Sequence, residues 1–211
     1  MLDNLVFEIY NEPHVNASPF DGHLADDRAD AINTAGLAAI RGHSTKRICL
    51  VGGRWWAAPE ALYGASWIRG VAVPSDTHIV AKFHWYTPNS FCWDAGTHQW
   101  PSGNDVQTLN DTMSAVSAWG HKYGIPVWMN EYGVTTKQLN DTTGRHNALR
   151  WYGAMWDNVW SMRGMAMNAW DTNADYCLYG RESGCGNVNA RGFDDDVLQA
   201  LHIFPPTRSG N

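Results

Sequence analysis

Charge is scarce in this chain. Asp, Glu, Lys and Arg make up only 17% of its 211 residues, and fifteen basic against twenty-one acidic side chains leave a formal net charge of -6. A surface this poor in positive charge has little to offer a phosphate backbone, so nucleic acid is excluded as an expected partner. No apolar run reaches the roughly 18 residues that a membrane-spanning helix needs, which excludes a membrane partner of that kind. The start, Met1-Leu2-Asp3-Asn4, has no basic stretch leading into an apolar one, so no signal peptide is legible. The four cysteines, Cys49, Cys92, Cys177 and Cys185, do not fall at zinc-site spacings, and neither metal nor cofactor is expected. Cys177 and Cys185 bracket a short loop that would close as a local disulfide in an oxidising compartment, although spacing alone leaves the pairing open. With 44% apolar residues the chain is not disordered, and a single globular domain over 1–211 is the expectation.

Tryptophan, by contrast, is abundant. Twelve are more than a core of this size requires, and Trp55, Trp56, Trp85, Trp93, Trp100 and Trp170 fall in loops or at strand ends. An aromatic plane covers the apolar face of a sugar ring while hydroxyls bond at its rim, so this excess favours carbohydrate recognition. Trp119, Trp151, Trp156 and Trp160 lie in helical patterns and read as structural.

Periodicity gives an alternation of strands and helices. Strands are predicted over 5–10, 47–53, 77–86, 125–131 and 164–170, with helices over 25–41, 105–123, 143–162 and 194–202 and a short one over 59–63. The helix over 143–162 is expected to bury Leu149, Tyr152, Met155, Trp156 and Val159. The aromatic segment 87–104 is too long for a simple connection and reads as part of a binding face. Strand–helix alternation implies an α/β fold with parallel strands and outer helices, and polar or aromatic residues at every strand's C-terminal tip match the placement of a barrel's active site. Five such strands imply a partial TIM-type (β/α)8 barrel, lacking the first three strand–helix units of the usual eight.

The tips carry a specific set of residues. Asn11-Glu12-Pro13-His14, His84-Trp85-Tyr86, Asn130-Glu131-Tyr132-Gly133 and Trp170-Asp171 follow one another in the order of the signature stations of glycoside hydrolase family 5, which the chain resembles over nearly its whole length. The resemblance implies an endo-β-1,4-glucanase, a cellulase, working by double displacement, with the strands here equivalent to strands 4 to 8 of the barrel. Glu12 is similar to the family acid/base and Glu131 to its nucleophile, a retaining pair that stands about 5–5.5 Å apart. Asn11 resembles the residue that bonds the sugar 2-hydroxyl, Tyr86 a donor to Glu131, His84 a partner of substrate or of Glu12, and Trp170 the platform beneath the sugar before the cut. Trp55, Trp56, Trp93 and Trp100 are candidates for further subsites. β-Mannan or xylan are alternative substrates. A glycan-binding remnant without chemistry, or a subunit completed by a partner, are the rival readings.

Strand alternation places Glu8 on the side of Glu12 and Lys82 on the side of His84, which sends two opposite charges inward and predicts a Glu8–Lys82 contact. An open five-stranded sheet has exposed edges, so a homo-oligomer is expected. The polysaccharide substrate implies an extracellular location.

Overall fold

In the computed structural model, residues 5–15, 26–63, 76–93, 96, 99–172, 174–180 and 192–203 are described. The chain divides into two compact units, Met1–Trp85 with Thr112–Asn130, and Tyr86–Asp111 with Glu131–Asn211. Five parallel strands hydrogen-bond in chain order: β1 (Phe7–Glu8), β2 (Cys49–Gly52), β3 (Ile79–Trp85), β4 (Val127–Tyr132) and β5 (Ala166–Ala169). A helix lies between each strand and the next, as a parallel crossover requires.

In the first unit, β1 pairs with β2 in the register Phe7–Cys49, and β2 with β3 in the register Gly52–Lys82. All four residues of β2 are buried, which accounts for its unbroken run of small and apolar side chains. Helix α1 (Asp26–Arg41) turns Ala29, Asn33 and Leu37 inward. It approaches β1 closely because Gly36 has no side chain: a Cβ there would stand 2.4 Å from Ile9. Arg41, in the last turn of α1, gathers the N-terminal ends of β2 and β3, donating to Asp76 (2.7 and 3.1 Å) and to the carbonyls of Ser44, Arg47 and His78. The tip of β2 enters a tight turn, α2 (Arg54–Ala57), in which Trp55, Trp56 and Ala57 all have positive φ, between 52° and 58°. Left-handed backbone at three consecutive residues with side chains is costly and occurs where surrounding structure imposes it. Helix α3 (Glu60–Tyr63) follows.

The second unit is built on helix α7 (Thr142–Met155), capped by the Asp141 carboxylate, which accepts from the Gly144 amide at 2.7 Å. Its buried stripe is Ala148, Trp151, Tyr152 and Met155, continued by Val159. Leu149 and Trp156, predicted for that stripe, are only half-buried. The predicted single helix over 143–162 ends instead in a π-helical stretch at Trp156–Ser161, whose wider turns shift the side chains that follow. Trp160 stands 49% exposed, against its structural reading, its ring tilted against that of Trp156 with centres 5.9 Å apart. Two short helices precede α7 in this unit, α4 (Asn89–Cys92) within the aromatic segment and α6 (Thr136–Asn140) beyond the tip of β4; between them in sequence, helix α5 (Asp105–Tyr123) has the predicted bounds. A two-stranded antiparallel ribbon, β6 (Tyr179–Gly180) with β7 (Gly192–Phe193), leads to helix α8 (Asp195–Ala200). Arg145 of α7 ties α8 down with two bonds to Asp194 at 2.8 Å and one to Asp196 at 2.6 Å. Those bonds hold its guanidinium firmly in the protonated form against the opposing effect of burial.

Candidate active site

The first unit assembles a chain of charged and polar groups at the tips of β1 and β3, with Lys82 and His84 buried and Glu8 exposed. Lys82 lies on β3 and Glu8 on β1, two strands apart in the sheet and roughly 10 Å from one another at about 4.8 Å per strand. The lysine crosses β2 at Gly52, the position facing it in register, where a Cβ would stand 2.4 Å from Lys82 Cε. Its Nζ then lies 2.8 Å from Glu8 Oε1, so the contact expected from strand alternation is present. The lysine side chain is fully buried, and pairing offsets the cost of burying its charge. Nζ also donates to the Asn11 main-chain carbonyl and lies 3.4 Å from His84 Nε2. On the far side of the same ring, His84 Nδ1 meets Glu12 Oε1 at 2.8 Å. Asn130 joins from β4, donating its side-chain amide to Glu8 Oε1 at 3.2 Å.

His84 is buried, Glu12 half-buried and Asn11 exposed. The next ring outward is His14, whose own Nδ1 lies 2.6 Å from the Glu12 carbonyl and whose plane stacks on Trp56 at 5.0 Å. Trp56 is 41% exposed, and the strained turn of α2 holds it there. Trp55 is half-buried beneath the Arg54 guanidinium, 4.2 Å from its ring centre.

In the second unit Glu131 is buried and its Oε2 accepts from the Tyr86 hydroxyl at 3.1 Å, the donor expected from the sequence. Tyr86 meets the rings of Trp93 and Tyr176 edge-on, each at 5.5 Å. Close approach here depends on Gly133, where a Cβ would be 2.9 Å from Tyr176. Beside these rings lies a cleft of about 650 Å³ lined by Trp93, Thr136, Lys137, Trp170, Asp175 and Tyr176. Trp93 is 57% exposed and Trp170 38%. Trp170 is placed by its amide, which donates to the Tyr132 carbonyl at 2.8 Å, and the Asp171 carboxylate folds the following loop by accepting from the amides of Leu178 and Tyr179. Tyr132, next to Glu131 in sequence, and Tyr152, whose ring it meets at 6.0 Å, are buried, and burial pushes both phenols far above their ordinary value, so they are uncharged packing groups.

Trp100, a candidate subsite by sequence, is buried with 5% exposure and packs in the interior. The cleft around Trp170 was not legible in the sequence beyond its tryptophans, because Tyr176, Thr136 and Asp175 meet there through loop folding that no periodicity reports. Cys177 is disulfide-bonded and Cys49 and Cys92 are free, whereas Cys185 lies outside the described residues.

Comparison with known proteins agrees with these features. The model of the cellulase family, glycosyl hydrolase family 5, matches residues 2–175. Endoglucanase H of Acetivibrio thermocellus is 29% identical over 203 residues, covering 94% of this chain and 20% of its own length. Endoglucanase A of Ruminococcus albus is 30% identical over 150 residues, covering 66% of this chain and 40% of its own. Among solved structures, a hyperthermophilic endo-β-1,4-glucanase in complex with substrate superposes with a TM-score of 0.73 at 21% identity, over 95% of this chain and 60% of that one. The cellulose synthase subunit Z of Clostridioides difficile gives 0.72 at 21% identity, over 94% and 61%. This chain therefore spans 20% to 40% of the curated relatives' length and about 60% of those solved chains, and its fold is the partial TIM-type barrel expected from the sequence. With the family model matching most of its residues, the chain belongs to glycosyl hydrolase family 5.

Proposed function

We propose that this chain is the catalytic domain of a retaining endo-β-1,4-glucanase, with Glu12 as acid/base and Glu131 as nucleophile. The observation that carries the reading is that each glutamate stands at the tip of a parallel strand with its own partner, Glu12 with His84 at 2.8 Å and Glu131 with Tyr86 at 3.1 Å. Double displacement needs two carboxyl groups in different states. The nucleophile works ionised, and the Tyr86 hydroxyl supports that form of Glu131 by donating to it. The acid/base must exchange a proton with the leaving oxygen and later with water, and half-exposed Glu12 has access to both. Trp170 serves as the platform for the sugar ring before the cut, with Trp93 extending the surface on the same cleft and Trp55 and Trp56 offering a further one. Asn11 bonds the 2-hydroxyl.

The choice of β-1,4-glucan over mannan or xylan is supported by relatives named as endoglucanases. An extracellular location is supported by the disulfide at Cys177, a bond of oxidising compartments. The rival reading, a glycan-binding domain without chemistry, draws on the exposed Trp93 and Trp170. One experiment separates them: wild type and Glu131→Ala are assayed on a panel of soluble glucan, mannan and xylan, with product anomers followed by NMR. The enzyme reading expects hydrolysis of the glucan with β-anomers appearing first, and a loss of about 10³-fold or more in kcat/KM for the variant. Equal and negligible rates for the two proteins, with glycan binding retained, would leave the binding reading instead.

A further inference from the structure

We infer that Lys82 is a positioning residue that fixes the tautomer of His84, and thereby decides which oxygen of Glu12 carries the catalytic proton; this rests on the reading of Glu12 as acid/base. An ammonium has three hydrogens and no lone pair. Nζ of Lys82 reaches Glu8 Oε1 at 2.8 Å, the Asn11 carbonyl, and His84 Nε2 at 3.4 Å. Glu8 is the ion-pair partner of the lysine, whose side chain is fully buried. A nitrogen facing an ammonium hydrogen must present its lone pair, so His84 Nε2 is unprotonated. The ring's one hydrogen is then on Nδ1, pointing at Glu12 Oε1 2.8 Å away. Oε1 accepts that hydrogen bond whether Glu12 is ionised or protonated, and the acid's own proton is confined to Oε2.

The consequence is directional. With the opposite tautomer, a bare Nδ1 would face Oε1, repelling the carboxylate and drawing the acid's proton onto the oxygen next to the histidine, away from a leaving group. Three features of the fold serve this one setting: Gly52 leaves the passage for the lysine, β1 supplies both Glu8 and the Asn11 carbonyl, and Asn130 steadies Glu8 from β4. Lys82 touches no reacting atom in this scheme and acts through His84.

The test begins with the wild-type chain labelled with ¹⁵N-histidine, with His84 assigned by its loss in His84→Gln. A long-range ¹H–¹⁵N NMR spectrum should show His84 protonated at Nδ1 and bare at Nε2. A hydrogen on Nε2 overturns the inference without any further variant. Lys82→Met should then move the hydrogen to Nε2 or add a second one, and an unchanged spectrum in a folded Lys82→Met protein also overturns it. In kinetics, Lys82→Met should lower kcat/KM by about tenfold or more on cello-oligosaccharides, whose departing sugar needs a proton, and far less on an aryl cellobioside with an activated leaving group. Equal losses on both substrates would reduce Lys82 to a structural part and overturn its positioning role. Glu12→Ala should show the same leaving-group dependence more strongly. If it shows none, the assignment of Glu12 fails, and the spectrum alone then decides for or against the control of the His84 tautomer by Lys82.

Discussion

Gly52 is the residue on which the Glu8–Lys82 pair turns. Lys82 reaches Glu8 only by crossing the intervening strand, and the crossing point is a position without a side chain. Gly52→Ala sets a methyl 2.4 Å from Lys82 Cε, so the lysine has to swing aside and leave Glu8, or the strands have to part. We expect Gly52→Ala to destabilise the fold by about 1–3 kcal/mol in urea unfolding, the usual cost of overpacking. The same substitution should cost less in a Lys82→Met background, because the two residues share one space. Equal costs in both backgrounds would show that the methyl collides with something else. At this scale the sequence was informative in two ways: alternation pointed to the Glu8–Lys82 contact, and the family resemblance to Tyr86 as a donor to Glu131 and to His84 as a partner of substrate or of Glu12. It was silent on Gly52 and on the His14–Trp56 stack, which follow from register and turn geometry between strands rather than from any pattern along one of them.

Among the elements, the junction of α1, β2 and β3 depends on Arg41 and Asp76, whose pair is largely withdrawn from water. Burial on its own would raise the Asp76 carboxyl, but bonds from Arg41 and from the His78 amide outweigh it and hold the group below its ordinary value. A carboxyl depressed in the folded state contributes stability that is present above the unfolded value, about 3.9, and is lost as pH falls through the folded one. The gap in unfolding free energy between wild type and Asp76→Asn should therefore be widest near neutrality and should close as pH falls below about 3.9. A gap unchanged from pH 7 to pH 3 would mean that the ion pair contributes nothing specific. The long elements of the fold were readable because their apolar spacing is sustained: α1 begins one residue from its predicted start, and α5 has its predicted bounds. The π-helical end of α7 was not, since Trp156 and Val159 fit a 3.6-residue period as well as a wider one. Helix α6 and the β6–β7 ribbon are too short for any period to report, and α2 consists of residues whose left-handed backbone runs against their own preference.

For the molecule as a whole, β1 stands at one end of the sheet order and carries the apolar surface that charge and burial do not account for. Leu5, Val6, Phe7 and Tyr10 are 40% to 48% exposed, and Ile48 beside them is 40% exposed. The amides of Phe7 and Ile9 bond to the carbonyls of Ile48 and Leu50. Alternation turns those of Glu8 and Tyr10 the other way, toward the sheet margin. Among the described residues no strand lies on that side of β1, and a strand margin flanked by apolar side chains is a template for another strand. We propose that a second copy of the chain fills it, since two β1 edges related by a twofold axis are self-complementary and close into a dimer rather than a filament. Light scattering at micromolar concentrations should give a mass that rises toward the dimer as concentration increases. Val6→Lys, which places a charge on the exposed face of β1 that also carries Glu8, should return the mass to that of one chain and leave unfolding free energy within about 0.5 kcal/mol of the wild-type monomer. A wild-type protein that stays strictly monomeric across that range would overturn the proposal.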